Sequence, residues 1–285
     1  MTVAAVERCL GLLETLADEA EPVELAELAE RVGLPNSAAH RILATLLTRG
    51  WVMQDEATQR YALSLRFCTL AFRNLDARAV PDVVQIVLDK LAQRTHEYCR
   101  LALVEGENLV WVAHAQGAKA GLRYDPDMGQ DLVLHATANG KAWLATLSEQ
   151  EALRIACARG FKATHPLGPR ALSSVDDLRV HLKETRRRGY ATAVDEGEGG
   201  TAAIAVPFYA SQSEDAKVAG TISVAGPIQR LVPERYEDLS RELTWAASEL
   251  SSIWLLRIRQ RNSWSRQVAA DATHRVDHLN SGGAA

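Results

Sequence analysis

Two glycines, Gly33 and Gly50, bracket the stretch "LPNSAAHRILATLLTR", and no other feature narrows the fold of this chain as much. Before Gly33, "EPVELAELAERV" sets Leu25, Leu28 and Val32 on one helical face and Glu24, Glu27 and Glu30 on the other. A glycine directly after such a run suits a helix C-terminus, because it enters the left-handed region without a Cβ clash. Pro35 fits just inside the start of the next helix, where a missing N–H costs nothing. Along that helix Ala39, Ile42, Leu43, Leu46 and Leu47 make an apolar stripe, opposite a polar face of Asn36, Ser37, His40, Arg41 and Thr45. Gly50 closes it. The segment "WVMQDEATQRYALS" then alternates around a polar turn, as a β-hairpin does. Upstream, residues 3–18 carry Val6, Leu10, Leu13 and Leu16 at helical spacing.

Two helices joined by a tight glycine turn and followed by a hairpin make a winged helix-turn-helix. The second helix of such a pair lies in the DNA major groove and offers its polar side chains to base edges. Here each of Asn36, Ser37, His40 and Arg41 can donate or accept hydrogen bonds, and Arg41 can fork onto a guanine. Charge separates this reading from an ordinary solvated face. Glu7 to Glu30 holds eight acids and one base, whereas Asn36 to Val80 holds six arginines and three acids. The cations gather where phosphates would lie. Their excess is small, so a dimer that doubles the contacts is expected.

The net charge of −4 excludes a protein coated in basic residues but not a local nucleic-acid face. No apolar run reaches the roughly 18 residues needed to span a bilayer, and the acid-bearing N-terminus lacks the pattern of a secretion signal. The four cysteines form no CxxC pair, so neither a disulfide framework nor a zinc site is indicated. No membrane partner is expected, and a reducing cytoplasm fits.

Residues 64–80 read as a connecting helix ending at Pro81. Beyond it, "VVQIVLDKLAQRT" is helical, "YCRLALVEGENLVWVAHA" is a hairpin and "AGLRY" a short strand. "LHATANGKAWLATL" reads as a buried helix, 149–159 as another, and "SSVDDLRVHLKETRRRG" as a third capped by Ser174. Strands are expected at "YATAVDE", "TAAIAVPFY" and "VAGTISVAGP", with a long helix over 233–261. The order lacks a βαβ rhythm, which predicts an α+β domain with an antiparallel sheet.

Taken in order, "VERCLGLLETLA", "LAELAERVGLPNSAAHRILATL", "GWVMQDEATQRYALSLRF", "LHATANGKAWLA", "GYATAVDEGEGGTAAIAVPF" and "ISVAGP" resemble the IclR family of bacterial transcription regulators, from about Val3 to Ile258. The resemblance implies a winged helix-turn-helix DNA-binding domain (1–63), a linker helix (64–80), a GAF-like effector-binding domain (81–261) and a polar tail (262–285). It also implies a homodimer, often paired into a tetramer, on palindromic double-stranded operator DNA. The implied DNA contacts are Asn36, Ser37, His40, Arg41 and Thr45 on the recognition helix and Arg60 near the wing. Ala38–Ala39 departs from the Thr–Val common in the family, which removes one hydroxyl.

In that family a small carboxylic acid sits between the sheet and the start of the helix matching "HATANGK", where outward N–H groups suit an anion. The matching positions are Ala138 and Asn139, with Leu122 and Tyr124 before them, His135 as core residue or pocket wall, and Thr201, Ala203, Ser223 and Ala225 across the pocket. Alanine at 203 and 225 leaves a wider, less polar pocket than relatives of very small acids have, so an aromatic or bulkier acid is expected.

Other chemistry finds little support. "HATANGKA" lacks the Gly and Ser/Thr of a phosphate loop, and "GEGG" is flanked by acids and reads as a flexible pocket edge. No GxSxG elbow occurs. His274 and His278 lack the glutamate of a zinc-binding helix. Trp111 and Trp143 read as core, and Arg257, Arg259 and Arg261 as a solvated helix end. No cofactor, metal or catalytic residue is expected, and the chain is read as a non-enzyme. The competing readings are a small-acid-processing enzyme and a protein-interaction module.

Overall fold

A computed structural model of the chain describes residues 2–77, 81–126, 131–161, 163, 165–211 and 216–254. The end of the expected linker at 78–80, the arginines at 257, 259 and 261, and the tail with His274 and His278 lie outside the described residues. The chain divides into two units, Met1–Ala79 and Val80–Ala285.

The first unit runs α1 (Ala4–Ala17), α2 (Leu25–Arg31), α3 (Asn36–Thr48), β1 (Val52–Gln54), β2 (Tyr61–Leu63) and α4 (Arg66–Ala77). Both bracketing glycines act as the sequence demands. Gly33 has φ +67°, its N–H donates to Glu30, and Leu34 N–H reaches back to Ala29. Gly50 has φ +71°, with Gly50 N–H on Leu47 and Trp51 N–H on Leu46. These paired bonds are Schellman motifs, which satisfy the last carbonyls of α2 and α3 and turn the chain sharply. Pro35 stands one residue earlier than expected. It caps α3 in an extended conformation, and its carbonyl accepts from Ala38 and Ala39 N–H.

The core of this unit gathers Leu12, Leu16, Val23, Leu28, Leu43, Leu46, Val52 and Tyr61. The face of α1 differs from the spacing read in sequence. Leu12 and Leu16 turn inward, while Val6 and Leu10 remain 54% and 51% exposed. A leucine-rich helix supports more than one stripe, and packing against α2 and the hairpin selects among them. In the hairpin Val52 pairs with Leu63 and Gln54 with Tyr61, and Val23 adds a bridge to Tyr61 through two 2.8 Å hydrogen bonds. Its turn is closed by Asp55, which accepts from Thr58 N–H and Oγ1, both at 2.7 Å.

The second unit comprises α5 (Pro81–Thr95), β3 (Tyr98–Glu105), β4 (Asn108–Gln116), α6 (Ala138–Leu144), α7 (Glu149–Arg159), α8 (Val175–Arg188), β5 (Ala191–Val194), β6 (Thr201–Tyr209) and β7 (Val218–Pro227). A 3₁₀ turn (Pro233–Arg235) leads into α9, helical from 236 to 254. The five strands form one antiparallel sheet in the order β4-β3-β7-β6-β5. One sheet face packs against α6: Ala191, Ala193 and Ala205 meet Ala138 and Ala142, with Ala203 beside them. At such small residues the helix lies close to the strands. On α5, Arg94 stacks on Trp245 of α9 at 4.4 Å, and Phe208 of β6 meets Trp254.

Two sequence expectations change here. Residues 120–124 form no strand: the segment is irregular, held where Gln116 Nε2 donates to the Tyr124 carbonyl. The helix expected over "LHATANGKAWLATL" shortens to α6, because Thr137 caps it, its Oγ1 accepting from Gly140 N–H at 3.1 Å. A Cβ at Gly140 would lie 2.3 Å from the Leu134 carbonyl oxygen, so the turn at 134–137 folds directly against the helix.

Candidate functional site

On α3 the residues Asn36, Ser37, His40, Arg41 and Thr45 are all exposed, while Ala39, Leu43 and Leu46 are buried. The polar face is therefore free of the unit's own core. Arg41 and Thr45 also border a groove shared with α1, in which Arg8 and Cys9 line the opposite wall. Arg8 is a candidate phosphate contact that sequence reading missed, since it stands alone in an acidic stretch. Arg60 projects from the hairpin and forms an exposed ion pair with Glu24, 2.8 Å away. Solvent screening makes such a pair weak, and a phosphate can replace it. Arg66 lies over the Trp51 ring at 4.9 Å, and Trp51 packs on Phe67, which joins the hairpin to α4.

In the second unit a cavity of about 340 Å³ is lined by Arg100, Trp111, Tyr124, Asp131, Thr137 and Glu198 among others. Strand register explains how these residues meet. Arg100 pairs with Ser223 and with His114, Tyr98 pairs with Ala225, and Ala225 pairs with Ala203. The positions 223, 225 and 203 thus share the sheet face of Arg100. Ser223 and Ala225 are nonetheless buried, and Ala203 packs at the alanine cluster. The open space lies toward β3 and β4, next to Arg100 and Trp111.

The remaining expected positions fall in several places. Tyr124 lines the cavity, and burial, with the carboxylate of Glu198, raises its pKa well above the ordinary phenol range. Leu122 is 68% exposed and does not line it, although its carbonyl accepts from Arg230. Ala138 belongs to the alanine cluster, and the Asn139 amide donates to Thr221 Oγ1 at 3.0 Å, so both serve packing against the sheet. Thr201 sits half-buried at the start of β6. His135 lines a different cavity, of about 310 Å³, with Asn108 and Arg159. Its ring packs on Phe161 at 4.8 Å, its Nε2 has no hydrogen-bond partner, and burial, aided by the nearby Lys141 charge, lowers its pKa.

Most residues of the cavity escaped sequence reading, Trp111 among them, which was expected in the core. Arg100 sits inside an apolar strand where nothing local marks it. Thr137 looked like helix interior. Glu198 belongs to the glycine-rich stretch, and that loop is pinned: Gly200 N–H donates to Asp195 Oδ1 and Gly168 N–H to the Glu196 carbonyl. Beneath it the Glu196 carboxylate is buried against Lys141 of α6. Among the described residues that line this cavity Arg100 is a cationic side chain, while the first turn of α6 has its Gly140 N–H satisfied by Thr137.

A winged helix-turn-helix with an exposed polar second helix, followed by an antiparallel-sheet domain with a charged cavity, defines a DNA-binding regulator with an effector domain. The comparisons agree. The family description "Bacterial transcriptional regulator IclR C-terminal" matches residues 72–252, and "IclR helix-turn-helix domain" matches residues 5–56. The transcriptional repressor IclR of Escherichia coli is 30% identical over 87% of this chain and 89% of its own length. Among solved structures, an IclR transcriptional regulator from Alicyclobacillus acidocaldarius aligns with TM-score 0.73 and 24% identity over 90% of this chain and all of that one. An IclR homologue from Microbacterium hydrocarbonoxydans, complexed with 4-hydroxybenzoate, aligns with TM-score 0.69 and 24% identity over 88% and 98% of the two chains. The protein belongs to the IclR family of bacterial transcriptional regulators. That family consists of regulators, not enzymes.

Proposed function

We propose that this regulator binds a palindromic double-stranded operator as a homodimer, able to pair into a tetramer, and that a small carboxylic acid controls the binding. It works in the cytoplasm, with residues 1–63 as the DNA-binding domain, 64–80 as linker and 81–261 as the effector domain. The observation that carries the reading is the exposed row Asn36, Ser37, His40, Arg41 and Thr45 on α3. Side chains near the start of that helix reach base edges, while Arg60 and Arg8 sit on phosphates and set position without reading sequence.

Dimerisation matters because half-sites lie about one helical turn, roughly 34 Å, apart. A small change in the spacing of two recognition helices misaligns one of them. The acid favours one arrangement of the dimer over another only to the extent that it binds the two unequally. Supporting an aromatic acid over a two-carbon one are the cavity of about 340 Å³ and the 4-hydroxybenzoate bound by the Microbacterium homologue. Within the cavity Arg100 and Tyr124 are the groups best placed for the carboxylate, with Ser223 and Ala225 behind them.

Footprinting on the organism's own genomic DNA, with and without a panel of aromatic and aliphatic acids, tests the reading. A protected palindrome whose occupancy changes with one acid is expected. Absence of any protected sequence under every condition would refute it.

A further inference from the structure

The cavity of about 310 Å³ that His135 lines is separate from the one beside β3: among the described residues the two share only Asp131 and Val133. Buried Leu132, Leu134 and Ala156 give it an apolar wall, and Arg159 stands at its edge on the last turn of α7. Two polar atoms belonging to its lining residues are unsatisfied. His135 is only 3% exposed and its ring lies against Phe161, yet its Nε2 meets no hydrogen-bond partner. The side-chain oxygen of Asn108, at the start of β4, is also buried without one. A buried donor or acceptor left unpaired is costly and rare. Two in the lining of one cavity mark a place for a group that satisfies them.

The chemistry of the wall selects the ligand. The Asn108 oxygen only accepts, so the ligand must bring an N–H or O–H donor. A carboxylate brings none, and it would stand beside Asp131. A cation would give up its hydration for a wall of leucine and alanine with Arg159 at the edge. An uncharged hydroxyl donates to the Asn108 oxygen and accepts from an Nε2–H, as a bridging water does, while its carbon frame covers Leu132, Leu134 and Ala156. Benzene fills an engineered apolar cavity of about 150 Å³, so a space of about 310 Å³ has room for a substituted ring. We propose that this cavity is a second ligand site, distinct from that of the acid effector, and that it takes an uncharged phenol or aromatic alcohol.

The test is methyl NMR of the full-length protein, labelled at alanine and leucine methyls and titrated with 4-methylphenol, p-xylene and 4-methylbenzoate, which are close to one another in shape. 4-Methylphenol should shift the methyls of Leu134 and Ala156 before those of Ala203 and Ala225, and should bind about fivefold more tightly than p-xylene. 4-Methylbenzoate should leave Leu134 and Ala156 in place. Asn108→Leu removes the lone acceptor at similar volume, so the phenol should lose its advantage while p-xylene stays bound. If that variant does not fold, His135→Phe takes its place with the same expectation. If 4-methylphenol fails to shift Leu134 and Ala156, if p-xylene binds the parent equally well, or if 4-methylphenol keeps its advantage in the folded variant, the second site is overturned. None of these outcomes touches the acid-effector reading, which rests on the other cavity.

Discussion

The Lys141 ammonium lies 2.8 and 2.7 Å from the two carboxylate oxygens of Glu196, and both side chains are buried. His181 Nδ1 stands 3.4 Å from the same nitrogen. Burial lowers the Lys141 pKa, and Glu196 opposes that shift by holding the charge in place. The pair ties α6 to the loop that carries Gly197 and Glu198. Removing one partner strands a buried charge, which costs about 3–5 kcal/mol. Lys141→Met or Glu196→Gln alone should lower stability in urea titration by that order. The double variant Lys141→Met with Glu196→Leu should recover much of the loss, and a double variant worse than both singles would contradict this account.

Stability should fall on mild acidification. His135 and His181 both have pKa values below the ordinary 6.5, each chiefly because burial penalises the charged ring. Above 6.5 the rings are neutral in folded and unfolded chains alike. Below 6.5 the unfolded chain takes up protons that the folded chain refuses, so stability drops as pH falls toward the folded-state pKa values. Melting temperature measured from pH 7.5 to 5.5 should decline, and His135→Gln should shallow the decline. An unchanged slope would show that His135 takes no part in it.

Recognition should divide between α3 and the wing. Arg41→Ala should weaken operator binding by about 1–3 kcal/mol and relax preference at one base pair. Arg60→Ala should weaken all sequences alike and flatten the salt dependence. Because Arg60 is paired with exposed Glu24, Glu24→Gln should tighten binding to any duplex by about 0.5 kcal/mol at low salt. Equal affinity of Arg41→Ala and the parent for the operator would remove α3 from the interface.

The left-handed turns set the helix-turn-helix geometry. Gly33→Ala meets nothing within 4 Å, so its cost is conformational, about 1–2 kcal/mol. Gly50→Ala should cost a similar amount, since its Cβ would meet only the end of the Arg66 side chain at 3.5 Å, and thermal unfolding measures both.

Ala203→Phe tests the alanine cluster. The side chain would press into the packing of Ala138, Ala142 and Ala193, and overpacking of that kind costs about 1–3 kcal/mol. A variant of parental stability that merely loses ligand response would show instead that Ala203 faces open space.

The DNA-binding unit was legible from the sequence because its determinants are local. Helical periodicity, two glycines at φ +67° and +71°, and an alternating hairpin each act within a few residues. The Ser174 cap and the strands β5 to β7 were readable for the same reason. The inner face of α1 was not, since "LGLLETLA" supports several stripes until α2 and the hairpin choose one. Position 122 is not in a strand, and nothing within the five residues 120–124 signals the contact by which Arg230 takes up its carbonyl.

Spacing thus determined most of the order of elements and the exposed polar face of α3, and the resemblance of its motifs pointed to the family. Only the tertiary structure decided that Arg100 shares a sheet face with Ser223, that Lys141 meets Glu196 across 55 residues, and that the cavity opens beside β3 and not over Ala203. The reason is physical: a strand residue's neighbours are set by register with strands far away in sequence, and a buried charge is tolerable only where the fold brings it a partner.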